Sequence, residues 1–82
     1  MTSEDHDARK ESPERALLMV CSEVLGVDAP SGTAHFLDIG GFSMAAIQVA
    51  HQLRLDYGYE LRPTALLRDD PLAEVARGMR PA

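Results

Sequence analysis

The first clear pattern in the chain is an apolar stripe that begins shortly after Ser12 and Pro13. Its members are spaced like one face of a helix: Leu17, Val20, Cys21, Val24 and Leu25. Serine is a favourable N-cap, proline fits the first helical position, and Gly26 stops the pattern. These features predict an amphipathic helix between Ser12 and Gly26. With no histidine or basic group beside it in the pattern, Cys21 is interpreted as a buried small hydrophobe and not as a reactive thiol.

A second apolar stripe runs through residues 44–57, a stretch that contains neither proline nor glycine. Its members again fall on one helix face: Ala46, Val49, Ala50, Leu53 and Tyr57. Gly58 follows directly, and glycine is common just past the end of a helix. The pattern predicts a second helix with Ser43 in its first turn.

The remaining segments are shorter or less regular. Residues 27–37 show no period and predict a long connection, anchored to the core by Phe36 and Leu37. A short helix is expected over residues 63–67, and a last one is expected to begin with Pro71 after a capping aspartate, Asp70. No strand is predicted. The predicted fold class is therefore all-α, a small four-helix bundle of three main helices and one short helix.

The helical stripes, laid face to face, define one core and one domain over residues 12–79. The predicted core comprises Leu17, Val20, Val24, Phe36, Leu37, Ala46, Val49, Leu53, Leu61, Leu66, Leu72 and Val75. Residues 1–11 carry four acids and two bases, and are expected to be a disordered tail; residues 80–82 are expected to be a C-terminal tail. Met1 and this polar tail favour a free-standing protein, and a monomer is expected.

Composition narrows the possible functions. An 82-residue chain buries roughly 60–65% of its unfolded surface, too modest a core for an enclosed active site. Aromatic residues make up 5% of the chain and the net charge is −5, which argues against nucleic acid and favours basic partners. One cysteine, no charged-then-apolar leader and no apolar run of about 20 residues predict a cytoplasmic protein without a membrane span.

Candidate chemistry centres on residues 37–44, which read Leu-Asp-Ile-Gly-Gly-Phe-Ser-Met. Gly40 and Gly41 can take positive φ, so that another protein's active site could approach the backbone closely. Ser43 follows at a helix start, where free N–H groups and the helix dipole favour an attached anion. Two interpretations stay open from these residues alone: Ser43 is a site of modification, or it is only a helix cap.

The segment from Phe36 to Ala46 resembles the modification site of peptidyl carrier, or thiolation, domains of nonribosomal peptide synthetases. Their motif runs aromatic, apolar, acidic, apolar, Gly, Gly, any residue, Ser, apolar, any residue, Ala. Three further segments match in order, namely residues 24–27, 57–61 and 71–76, so that the resemblance extends over roughly residues 13–78. Two positions depart from it: Phe42 replaces the usual His or polar residue, and Pro71 falls one residue late.

The resemblance implies an acyl-carrier-type bundle that is not an enzyme. A phosphopantetheinyl transferase would move 4'-phosphopantetheine from coenzyme A onto Ser43. The resulting thiol would carry an amino acid or aryl acid as a thioester between an adenylating enzyme and downstream condensing or tailoring enzymes of a natural-product pathway, such as antibiotic biosynthesis. Two alternatives remain: an acyl carrier of a polyketide or fatty-acid system, disfavoured by Gly40 and Gly41 where an acidic residue would be expected, and an unmodified helical interaction module.

Two other groups of residues bear on function. Phe42, Met44 and Ile47 are expected to form an exposed patch beside Ser43 that docks partner domains, and Phe42 in particular is expected to influence partner choice. Charged residues are expected to rim this patch: His51, Arg54, Arg62 and Arg68. The histidines, His6, His35 and His51, lack metal-ligand spacing, so no metal site is predicted. The pair formed by Asp69 and Asp70 is interpreted as helix capping.

Overall fold

The computed structural model describes residues 11–28 and 30–82 and, within them, confirms the predicted all-α class. The elements are α1 (Pro13–Leu25), a 3₁₀ turn (Phe36–Ile39), α2 (Ser43–Tyr57), β1 (Tyr59–Glu60), α3 (Pro63–Leu66), α4 (Leu72–Arg77) and β2 (Arg80–Pro81). No helix in the described ranges has both the length and the apolar character needed to cross a membrane. The predicted tail over residues 1–11 lies outside the described residues, except for Glu11.

The boundaries of α1 follow from its capping residues, as predicted. Ser12 is the N-cap, and its side chain accepts a hydrogen bond of 3.2 Å from the backbone N–H of Arg15. Pro13 occupies the first helical position, where a missing N–H costs nothing. Gly26 takes a left-handed conformation with φ 68° and returns its N–H to the carbonyl of Ser22, which ends the helix.

The core lies between α1, α2 and α4, with α3 packed on α2. Its buried members are Ala16, Leu17, Val20, Cys21, Phe36, Ala46, Val49, Leu53, Leu61, Leu66, Leu72, Val75, Ala76 and Met79. Two predicted core positions differ: Val24 is half-buried and only packs against the core, and Leu37 is 43% exposed. Residue 37 lies in the 3₁₀ turn, where Phe36 is the fully buried residue. Burial raises the pKa of the Cys21 thiol to about 12.

A short antiparallel pair of strands closes the bundle and corrects the prediction that the chain has no strand. Tyr59 pairs with Pro81 and Glu60 pairs with Arg80. The backbone N–H of Ala82 then donates to the Gly58 carbonyl at 2.7 Å. Residues 80–82, expected as a C-terminal tail, therefore lie along the turn that follows α2.

The start of α4 also differs from the prediction. Pro71 is extended, with φ −67° and ψ 153°, and α4 begins at Leu72. No side chain caps this helix, so the prediction that Asp70 is its N-cap is wrong. Instead, the backbone N–H of Leu72 donates to the carbonyl of Ala34 at 2.8 Å, so the long connection satisfies a group that a capping aspartate would otherwise satisfy.

Candidate functional site

Ser43 is the first residue of α2, in the first turn as predicted. The N-cap is Phe42, whose extended backbone precedes the helix, and no side chain makes a capping hydrogen bond there. Ser43 is exposed to solvent. Its hydroxyl is therefore free of a capping role, which removes the physical reason for interpreting this serine as only a helix cap.

The two glycines before Ser43 serve the fold in different ways. Gly40 has φ 94°, in the left-handed region that favours glycine, and ends the 3₁₀ turn. Gly41 does not have positive φ; it is buried against the Phe36 ring, and a Cβ there would lie 2.5 Å from Phe36 Cδ2 and Cζ. The expected positive φ is therefore found at Gly40 and not at Gly41, whose missing side chain leaves room for the Phe36 ring.

These contacts fix the position of Ser43. The backbone N–H of Gly41 donates to the carbonyl of Phe36 at 2.9 Å, which ties the segment before the serine to a fully buried residue. On the other side, the N–H of Ala46 donates to the Phe42 carbonyl at 2.9 Å, and Ala46 is itself fully buried. The serine therefore stands on a firmly anchored helix start and not on a loose loop.

The electrostatics at this helix start suit an attached phosphate. The N–H groups of residues 43–45 precede the first helical hydrogen bond, and the positive end of the dipole of a 15-residue helix lies there. The first turn contains no acidic residue. A phosphodiester on the Ser43 oxygen, such as the one that joins phosphopantetheine to a protein, fits this environment.

An apolar surface surrounds the serine, and we call Phe42, Met44 and Ile47 the docking patch. The three side chains are 67%, 70% and 56% exposed, respectively. Leu37, predicted in the core, is exposed on the preceding turn. Sequence analysis also missed Leu55, which is 66% exposed and lies eleven residues after Met44, on the side of α2 opposite the core. Met44, Ile47 and Leu55 together form a second apolar face of α2, and their spacing of 3 and 8 residues is the sequence signal that could have revealed it.

The predicted rim of charge divides between two places. His51 and Arg54 are exposed on α2 itself. Arg62 and Arg68 instead line a separate cleft formed by β1, α3, α4 and β2. The rim around the docking patch therefore contains fewer positive charges than the sequence suggested.

Metal-ligating side chains do not gather within residues 11–28 and 30–82, where no three of His, Cys, Asp and Glu lie close enough to hold an ion. His6 lies outside the described residues. His35 Nδ1 lies 3.2 Å from Asp69 Oδ1, close enough for an ion pair when protonated but not aligned for a hydrogen bond. Asp69 therefore contacts His35, the residue before the 3₁₀ turn. The prediction that Asp69 takes part in capping α4 is wrong, because no side chain caps that helix.

Comparison with known proteins assigns the family. The family model described as "Phosphopantetheine attachment site" matches residues 15–78. The chain is 46% identical over 66 residues to nonribosomal peptide synthetase valB of Aspergillus terreus, covering 78% of this chain and 2% of that protein. It is 25% identical over 76 residues to bacitracin synthase 1 of Bacillus licheniformis, covering 93% of this chain and 1% of that protein. The chain thus spans only a small part of the length of these relatives.

A solved structure of a carrier domain has the same fold as this chain. A non-ribosomal PCP domain superposes with a TM-score of 0.79 at 30% identity, covering 88% of this chain and 92% of that one. The range matched by the family model includes the exposed serine and all of α2. The chain belongs to the phosphopantetheine attachment family and is a peptidyl carrier domain, a non-catalytic protein that carries 4'-phosphopantetheine covalently.

Proposed function

We propose that Ser43 is the attachment residue for phosphopantetheine. The observation that supports this most directly is its exposed hydroxyl on the first residue of α2, which caps nothing and stands on a firmly anchored helix start. The residue also lies inside the matched range, residues 15–78.

In this proposal the Ser43 oxygen attacks the coenzyme A phosphorus that bears the pantetheine arm and gives up its proton. The pyrophosphate bond of coenzyme A breaks, and adenosine 3',5'-bisphosphate leaves. Among the described residues, no hydrogen bond joins the Ser43 side chain to a potential base. We propose that the transferase that docks there supplies the base, and also the magnesium ion that the transfer uses. This chain contributes an accessible nucleophile and the free N–H groups of the first turn, which favour the phosphate once it is attached.

Nonribosomal carrier domains work with adenylation and condensation partners and are modified by a phosphopantetheinyl transferase. We propose the same working partners here, with an amino acid or aryl acid carried as a thioester to condensing or tailoring enzymes of a natural-product pathway. The name of one relative, nonribosomal peptide synthetase valB, supports a peptide pathway over a polyketide or fatty-acid system. A cytoplasmic location and a monomeric state stay predictions.

The docking patch is proposed to contact these partners through apolar surface. Residues 40–55 contain no Asp or Glu, so the net charge of −5 does not describe the face around Ser43. The composition favours basic partners, but the net charge is therefore weak evidence that basic partners bind at this site. Three side chains that are more than half exposed can instead supply the few apolar anchors typical of small transient interfaces.

The attachment is tested by mass spectrometry after incubation with coenzyme A, magnesium and a broad-specificity phosphopantetheinyl transferase. Wild-type protein should gain one phosphopantetheine, and Ser43→Ala should gain none. Ser31→Ala, which removes an exposed loop serine, is the matched control and should be modified fully. Modification that persists in Ser43→Ala would refute the assignment. So would an unmodified wild type in a mixture that modifies another carrier.

The docking patch is tested on the phosphopantetheinylated protein. Met44→Asp and Ile47→Asp should each raise the apparent KM for loading by the adenylating enzyme roughly tenfold, because they place a charge in an apolar contact. Leu55→Asp is the matched control, since Leu55 is also an exposed apolar residue but lies about 12 Å beyond Ile47 along the same helix. Circular dichroism checks that each variant folds. Equal slowing by Leu55→Asp, or unchanged loading by both patch variants, would show that the patch does not contact the enzyme.

A further inference from the structure

A concave surface lies away from the start of α2. It is a cleft of about 450 Å³ between the strand pair, α3 and α4. Its lining residues are Glu60, Leu61, Arg62, Ala65, Arg68, Val75, Gly78 and Arg80. Because no residue of α2 is among them, a ligand in this cleft leaves Ser43 and the docking patch uncovered.

Three arginines dominate the charge of this cleft. Arg62, Arg68 and Arg80 are all exposed, and no carboxylate of the described residues lies within 4.0 Å of their guanidinium nitrogens. By contrast, Arg15 Nε lies 3.0 Å from Oε1 of Glu11, just before α1. Arg77 Nη1 lies 3.8 Å from Oε1 of Glu74, on α4. The cleft contains a single carboxylate among its lining residues, so it is locally positive in a chain whose net charge is −5.

The floor of the cleft is apolar. Leu61 and Val75 are only 8% and 6% exposed, and Ala65 is half-buried beside them. The guanidinium groups can each bind a carboxylate, and the apolar floor can contact an apolar side chain between two such carboxylates. We infer that this cleft binds an acidic peptide segment of a partner protein, at a surface independent of the attachment serine.

The same features favour a peptide over a nucleic acid. No aromatic side chain lines the cleft to stack on a base. A volume of about 450 Å³ is the size of an ordinary ligand site and suits a few side chains, not a duplex.

The test uses the full chain and a short fluorescent peptide that alternates glutamate and leucine. Fluorescence anisotropy gives Kd, and amide NMR spectra locate the bound peptide. We expect the signals of Leu61, Ala65 and Gly78 to shift while that of Ser43 does not. The variant with Arg62→Glu and Arg68→Glu should weaken binding by about tenfold or more, since each removes a charge-assisted contact. Arg54→Glu, an exposed arginine of α2, is the matched control and should change Kd less than about twofold.

Several outcomes would overturn the proposal. One is equal weakening by Arg54→Glu, which would indicate attraction to overall charge and no specific cleft. Another is a peptide of lysine and leucine that binds as tightly, or a single-stranded oligonucleotide that binds more tightly. Thermal melts check that the variants fold, and Arg62→Gln with Arg68→Gln, which keeps size while removing charge, should reproduce the loss. Because this test needs no phosphopantetheine, its failure would leave the assignment of Ser43 unaffected.

Discussion

Gly41→Ala tests how the Phe36 ring positions the start of α2. A Cβ at residue 41 would lie 2.5 Å from Phe36 Cδ2 and Cζ, well inside ordinary carbon contact. Phe36 is fully buried, so its ring cannot swing into solvent without exposing core surface. Either the ring or the backbone that leads to Ser43 has to move.

The magnitude follows from known costs of overpacking. Extra atoms in a packed core destabilise by about 1–3 kcal/mol. For a domain of this size, each kcal/mol lowers Tm by roughly 4–8 °C. Gly41→Ala should therefore lower Tm by roughly 5–20 °C. Gly78→Ala is the matched control, because its φ is −89° and the nearest atom to its Cβ would be the Val75 carbonyl oxygen at 3.6 Å. It should change Tm by no more than about 5 °C.

Thermal and urea unfolding, followed by circular dichroism, measure both variants. A double-mutant cycle with Phe36→Leu isolates the contact, since a smaller side chain makes room for the new methyl group. The loss caused by Gly41→Ala should shrink by at least about 0.5 kcal/mol in the Phe36→Leu background. Strict additivity, or a neutral Gly41→Ala, would refute the role assigned to this ring.

Two further predictions concern the core. Leu53→Ala removes a fully buried side chain and should cost about 2–5 kcal/mol in urea melts, whereas Leu55→Ala, at a 66% exposed position, should be nearly neutral; equal effects would show that the core face of α2 is wrongly assigned. Burial raises the pKa of the Cys21 thiol from 9.0 to about 12, so above about pH 9 the unfolded chain loses a proton that the native state keeps. The free energy of unfolding should therefore fall as pH rises from 9 towards 12, with a shallower fall in Cys21→Ala; the same slope in both would contradict a native pKa this high.

The sequence predicts the long elements well because their signals are local. The two main helices have a clear apolar period, and their ends carry residues with a known capping function, such as Ser12, Gly26 and Gly58. Ser43 in the first turn of α2 follows from the same local pattern. The resemblance to carrier domains supplied the chemistry, which periodicity alone left open between a modified residue and a cap.

Features that depend on contacts distant in sequence were not predicted. A strand of two residues has no period to detect, and its partner lies twenty residues away. Pro71 fits the first turn of a helix by itself, but pairing with His35 holds it extended. Leu37 is apolar and adjacent to Phe36, yet the 3₁₀ turn exposes it while Phe36 enters the core against Gly41. In each case a tertiary contact overrides the local preference.

The burial of Cys21 has a consequence for the chemical safety of the carrier. A thioester is open to attack by any nearby thiolate, and Cys21 is the only cysteine in the chain. With its pKa raised to about 12, the Cys21 thiol stays protonated at neutral pH, and the side chain has no exposed surface. This chain therefore provides no cysteine thiolate that could capture an acyl group carried on the arm. In the proposed function, an acyl group on the arm is thus protected against transfer to its own carrier and stays available to the partner enzymes.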